Sequence, residues 1–233
     1  MNKLTILLLS VLLLLPACRS YLEFDNTIPV DNSFEVSNPT EQDLKCYKRA
    51  AQYSKQHDGK AVLVVVGDNI VFEKYHNDHG QETPWHIFSG TKSFAGIMAM
   101  AALNDGIIEL DEKIADTISE FKKDPLKSKI TVRHLLNFTS GINQDFFGLS
   151  WDGMFEKQKV KNKYKHSLKL KVKAEPGTHF KYGSSHLMVF GEFMRRKLNG
   201  NPLSYLEYRV LKPIGFRYSG WHHDPYGNPM FPY

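Results

Sequence analysis

Strand-forming sequence is concentrated in one short part of this chain, and that most constrains its fold. Lys60-Ala-Val-Leu-Val-Val-Val66 is a β-branched run, Gly67-Asp68-Asn69 is a turn signal, and Ile70-Val-Phe-Glu-Lys-Tyr75 alternates in polarity. Together they predict a β-hairpin. The other periodic stretches read as helices. Asn38-Pro39-Thr40-Glu41 predicts a helix start, with Asn38 as cap and Pro39 in the first helical position. Leu44, Tyr47 and Ala51 recur at helical spacing, which carries that helix to about Gln56. A second helix runs from the Ser89 region to Asn104 and ends near Gly106. Thr131 can cap a short helix through Leu136, Ser184 or Ser185 starts another that ends near Gly200, and a further one follows Pro202. A two-stranded ribbon is marginal alone and its edges invite association. The order is thus a β-hairpin first and then a long helical region.

The N-terminus reads as a targeting segment. Lys3 precedes an apolar run, Leu4–Leu15, followed by Pro16, Ala17 and Cys18. One positive charge, a short apolar core and a small residue before the break match a secretory signal, and the run is too short to span a bilayer well. Leu15-Pro-Ala-Cys18 resembles a bacterial lipobox, which implies a lipid on Cys18 and a place in the cell envelope, on the periplasmic side or the outer membrane. The expected organisation is a lipoprotein-type signal over 1–17, a polar tether over 18–37 and the folded domain over 38–233. The chain contains two cysteines, Cys18 and Cys46. With lipid on Cys18, Cys46 has no partner, so a disulfide framework is excluded and the core must supply stability.

A formal net charge of +5 is too small to indicate a nucleic-acid-binding protein. Lysines crowd Lys157–Lys173, which is expected to be a solvated loop or edge strand. His134, His186, His222 and His223 are expected to serve packing or the surface rather than ligation, and His76-x-x-His79 lies in a loop. Neither a metal nor an organic cofactor is expected.

The chemistry centres on His86-Ile-Phe-Ser-Gly-Thr-Lys-Ser-Phe94. Ser89 and Lys92 are three residues apart before an apolar segment, so a helix there places both on one face. An amine beside a hydroxyl can activate an otherwise weak nucleophile. Ser-x-x-Lys alone arises often by chance, and three other stretches give it weight. Thr131-Val-Arg-His-Leu-Leu-Asn-Phe-Thr-Ser-Gly-Ile142 lies downstream. Pro176-Gly-Thr178 precedes Tyr182-Gly183-Ser184, and Leu211-Lys-Pro-Ile-Gly215 follows it.

On these residues the chain resembles the serine β-lactamase and penicillin-binding-protein superfamily, in particular its class C-like branch with D-alanyl-D-alanine peptidases and related esterases, which implies an α+β, β-lactamase/transpeptidase-like fold with a helical region packed on an antiparallel sheet. Ser89 to Lys92 match the Ser-x-x-Lys motif. Tyr182-Gly183-Ser184 fall on Tyr-x-Asn, with serine in place of the usual asparagine. His134–Gly141 resembles the "HLLxHTSG" landmark, with Asn137 and Phe138 as departures. The resemblance implies that Ser89 is the acylated nucleophile, that Lys92 accepts or relays its proton, and that Tyr182 acts with Lys92 as base or as donor to the leaving group. Ser184 takes the substrate-orienting position. The Ser89 backbone N–H would give half of an oxyanion hole, a donor worth roughly 3–4 kcal/mol in comparable enzymes. The implied activity is an exported serine hydrolase cleaving an amide or ester of a small-molecule or peptide substrate through an acyl-serine. It is of β-lactamase, D,D-peptidase or esterase type and is tied to the membrane by Cys18.

One element of the pattern is not found. The family's third motif, Lys-Thr-Gly or His-x-Gly, lies on a later strand, and the sequence is expected to be interrupted mid-domain with the C-terminal sheet strands lacking. That leaves a second reading open, a degenerate non-catalytic envelope protein that binds peptidoglycan-like peptides or a partner.

Overall fold

The computed structural model describes residues 35–150 and 160–233. The proposed signal, Cys18, nearly all of the tether, and Lys157 and Lys159 lie outside the described residues. Among those described, no helix is long and apolar enough to cross a membrane.

A two-residue strand β1 (Glu35–Val36) leads into helix α1 (Glu41–Gln56). The cap is Thr40 rather than Asn38: its side chain accepts from Asp43 N–H at 3.1 Å. A hydroxyl at the residue just before the helix reaches that amide, whereas Asn38 sits too far upstream. The hairpin forms as the sequence predicts, from β2 (Ala61–Val66) and β3 (Asn69–Tyr75). Gly67 takes the left-handed turn conformation at φ 59°. β1 adds to β3 in parallel, which gives the order β1-β3-β2. Helix α1 covers one face of this sheet, where Tyr47 lies 5.8 Å ring to ring from Phe72. Along β2 the alternate residues Leu63 and Val65 are exposed.

The helical region follows. A single 3₁₀ turn, Phe88–Thr91, runs directly into α2 (Lys92–Asn104), and Gly106 ends it at φ 66°. Short helices α3 (Ile114–Thr117), α4 (Val132–Leu136), α5 (Phe146–Leu149) and α6 (Lys163–Ser167) come next. Thr131 caps α4 in a reciprocal arrangement with His134: each side chain takes the other residue's backbone N–H. Helix α7 (Ser185–Lys197) is buried at every position from Ser185 to Met194, which makes it the helix around which the others pack. Helix α8 (Pro202–Leu206) ends in a five-residue π turn, Glu207–Leu211.

The core joins Ala95, Met98, Ala99 and Ala102 of α2 to Leu187, Phe190, Phe193 and Met194 of α7. Small residues on α2 let its backbone approach α7 closely. Acidic groups of the helical body are held by arginines. Glu192 of α7 accepts from Arg195 and Arg196, and Arg196 also binds Glu120. Asp105, just past α2, holds Arg209 at 2.6 and 2.7 Å and Tyr205 at 2.6 Å.

The lysine-rich run departs from expectation in part. Lys161, Lys165, Lys169, Lys171 and Lys173 are solvated, but Lys163 is fully buried at the start of α6. Its backbone N–H donates to Asp224 at 2.8 Å, which docks the turn against the C-terminal segment, and its amine donates to the Val160 carbonyl at 3.3 Å.

Candidate active site

The turn preceding α2 presents the nucleophile candidate. Phe88 holds a left-handed φ of 46°, a rare conformation for a bulky residue, immediately before Ser89. Ser89 is exposed and Lys92 half-buried. The i, i+3 spacing does what the sequence implies: Lys92 Nζ donates to Ser89 Oγ at 2.9 Å. The amine also donates to the Pro232 carbonyl at 2.6 Å and lies 5.0 Å from the centre of the Tyr182 ring and 5.2 Å from that of Tyr233.

Tyr182 enters from the other side, on the segment leading to α7. Gly183 beside it leaves room for the Gln144 side chain. A Cβ on Gly183 would lie 1.9 Å from Gln144 Oε1, and that oxygen accepts from Ser185 N–H at 3.0 Å. Burial works to raise the Tyr182 phenol, but hydrogen bonding with Ser89 and Lys92 and the charge of Lys92 outweigh it. The net result is a pKa below the ordinary phenol value. Ser89, Lys92 and Tyr182 are therefore brought together. Ser184 is nearby but engaged elsewhere. It stands at the entry to α7 without capping it, is 9% exposed, and its hydroxyl donates to the Tyr233 phenol at 2.8 Å. Burial holds the Tyr233 phenol above its usual range.

The "Thr-Ser-Gly" stretch acts as scaffold. Ser140 Oγ lies 2.8 Å from His186 Nδ1, and the opposite ring nitrogen of His186 lies 2.9 Å from the Lys181 carbonyl. His186 is thus a buried strut next to Tyr182, held neutral because burial pushes its pKa down to about 4. Gly141 has φ 72°, and a Cβ there would meet the Ala174 carbonyl at 2.1 Å.

Sequence reasoning missed several residues around the site. Phe138 takes a left-handed φ of 56° and sets its ring edge-on to Tyr182 at 5.7 Å. Its local sequence gave no signal, since a helix that ends in the left-handed conformation usually does so at glycine or asparagine. Pro232 and Tyr233 carried no local signal, because they reach Lys92 and Ser184 from far along the chain. Among the described residues, no cluster of three or more histidine, cysteine or acidic side chains could hold a metal ion.

A small sheet, a helical body and a Ser-x-x-Lys turn at the head of a core helix define a β-lactamase/transpeptidase-like fold. The chain belongs to the β-lactamase family, whose model matches residues 45–229. It is 24% identical over 153 residues to monacolin J acid methylbutanoyltransferase of Aspergillus terreus, covering 58% of this chain and 37% of that protein. The octameric penicillin-binding protein homologue from Pyrococcus abyssi superposes with a TM-score of 0.61 at 20% identity, covering 81% of this chain and 50% of the other. EstCE1, a hydrolase with promiscuous acyltransferase activity, superposes at 0.56 with 17% identity, covering 79% and 58%. The chain thus spans about half the length of these solved structures and 37% of the curated relative. The family holds both hydrolases and acyltransferases.

Proposed function

We propose that this chain carries the nucleophile half of a serine acyl-transfer site, used to cleave an amide or ester through an acyl-serine. The observation behind this reading is the Lys92 amine, 2.9 Å from Ser89 Oγ and over the Tyr182 ring, next to a phenol with a lowered pKa. In the phenolate form Tyr182 takes the Ser89 hydroxyl proton while Oγ bonds to the substrate carbonyl carbon. The tetrahedral intermediate collapses, the bond to the leaving group breaks, and Tyr182 returns the proton to that group. Water then repeats the sequence and releases an acid. An acceptor hydroxyl in its place would give acyl transfer, the reaction named for the Aspergillus relative. Lys92 holds the charge of the phenolate and orients Oγ, and its remaining hydrogen bond to Pro232 fixes the amine.

The proposal extends to location. The sequence of residues 1–18 supports export and a lipid on Cys18, with substrate met in the cell envelope. A second, non-catalytic reading has one observation in its favour: the Ser184 hydroxyl, at the substrate-orienting position, is buried against Tyr233.

One labelling experiment separates the two. The full chain and Ser89→Ala would be exposed to a fluorescent fluorophosphonate and to a labelled penicillin. Label on the wild type and none on Ser89→Ala is the expected outcome. Equal labelling of both, or none on either, overturns the acyl-serine reading.

A further inference from the structure

Two histidines with no role in the acyl-transfer steps sit beside the nucleophile turn. Phe88 N–H donates to His86 Nδ1 at 3.2 Å. A backbone N–H can only donate, so Nδ1 is the bare nitrogen and neutral His86 carries its proton on Nε2. That Nε2 lies 2.6 Å from Nε2 of His222, across 136 residues of sequence. With His86 donating, His222 Nε2 must accept, and its own proton sits on Nδ1. The two rings are 4.8 Å apart, and the His86 ring lies 4.4 Å from that of Phe88.

Both ends of this pair lead to the site. Phe88, strained at φ 46°, immediately precedes Ser89. The His222 carbonyl accepts from Met230 N–H at 2.8 Å, and two residues further on the Pro232 carbonyl takes the Lys92 amine. The pair therefore links the turn that presents Ser89 to the segment that fixes Lys92.

We propose that His86 and His222 are positioning residues that hold Ser89 and Lys92 in their reactive arrangement only while both rings are neutral, so that acid disables the site. This rests on the acyl-serine reading of Ser89. An added proton has two destinations. On His86 Nδ1 it sets an N–H against the Phe88 N–H. On His222 Nε2 it sets an N–H against that of His86. Either placement breaks one of the two hydrogen bonds, and no singly protonated form keeps both.

The surroundings favour the neutral pair. It borders a cavity of ≈ 500 Å³ lined by Trp85, Phe94, Phe216 and Trp221 among others, whose titratable members besides the pair are Arg217, Tyr218 and Tyr233. Among the described residues no aspartate or glutamate lines it, and Arg217 is paired with Glu82 outside. His223 adjoins His222 along the chain. Burial, then the neighbouring His86 and His223, push the His222 pKa below its usual value. That direction favours the neutral form of His222 in the folded chain.

The test uses the full chain, with fluorophosphonate labelling rates at Ser89 followed from pH 5 to 8 beside an ¹⁵N imidazole and backbone amide titration by NMR. His222→Phe removes the acceptor, whereas His222→Gln retains a carbonyl acceptor that does not titrate in this range. The expected result at pH 8 is labelling slowed roughly five- to tenfold in His222→Phe, the size of one lost hydrogen bond, and largely restored in His222→Gln. The acid-side decline is expected to move in pH in His222→Gln rather than vanish, because His86 Nδ1 can still take a proton there. In the wild type, His86, His222 and the Phe88 amide are expected to shift at one common pH. Wild-type rates and pH profile in His222→Phe, or independent titration of the two rings, overturn the proposal. If the wild type is unlabelled at Ser89, the acyl-serine reading fails on its own. The common titration, with movement of Phe88, then decides whether the pair governs the turn.

Discussion

Tyr182 lies where opposing effects on one phenol nearly balance. Burial favours the neutral form, while Ser89 and Lys92 favour the phenolate and prevail. As a base Tyr182 acts when deprotonated, so acylation of Ser89 should rise with pH through a value below the ordinary phenol pKa of about 10. Tyr182→Phe should slow acylation by roughly 10²–10⁴ and remove that limb of the pH–rate curve. A stopped-flow comparison of the two pH profiles checks both points. An unchanged profile in Tyr182→Phe would assign the base elsewhere. Phe138 contributes at the same scale: its ring meets Tyr182 at 5.7 Å and Phe180 at 6.1 Å, closing one side of the phenol. Aromatic identity there was visible in the sequence, but its contact was not. The contact depends on a left-handed backbone that its local sequence does not demand.

At the scale of elements, short helices here depend on their ends. α4 has five residues, too few to be stable alone, and its cap fixes the stretch that carries Ser140 and Gly141. Thr131→Ala should lower stability by about 1 kcal/mol, read from denaturant unfolding. His134→Gln, which can still reach back to the Thr131 N–H, should cost less. The hairpin poses the opposite problem. β2 is an edge strand with exposed Leu63, Val65 and Val66, a surface that favours edge-to-edge pairing. Leu63→Lys should reduce concentration-dependent self-association of this chain in sedimentation velocity while leaving Ser89 labelling unchanged. Both elements were legible in advance, because caps and alternation act over a few residues. The cap of α1 moved from Asn38 to Thr40 because the sequence offers two capping side chains, and only hydrogen-bond geometry selects between them.

At the scale of the whole molecule, buried polar groups set the response to acid. His186 packs inside against Ser140 and the Lys181 carbonyl, and its pKa falls from 6.5 to about 4. The unfolded chain binds a proton there that the folded chain rejects. The resulting stability, roughly 3 kcal/mol by linkage, is complete above pH 6.5 and is lost as pH falls through about 4. The depressed carboxyls of Asp105 and Glu192 act in a lower window. Asp105 is held down chiefly by its hydrogen bonds from Arg209. For Glu192, burial alone would raise the carboxyl, but hydrogen bonds from Arg195 and Arg196 overcome it. Their contribution is present above the unfolded carboxyl range near 4 and is lost as pH falls through their lowered values. Chemical denaturation from pH 7 to pH 4 should show the histidine slope, and His186→Gln should flatten it. A slope unchanged in that variant would assign the loss to other groups.

The sequence by itself determined the local features: the hairpin, the serine and lysine on one helical face, the Thr131 cap, and the motifs that mark the family. These depend on periodicity and on contacts within a turn or two of chain. The tertiary structure decided which distant groups meet them. It brought Tyr182 to Lys92, turned Ser184 onto Tyr233, set the Pro232 carbonyl on the amine, buried Lys163 and paired His86 with His222. Each of those meetings spans tens of residues or follows from packing around α7. They depend on how the helices stack, which no local pattern encodes.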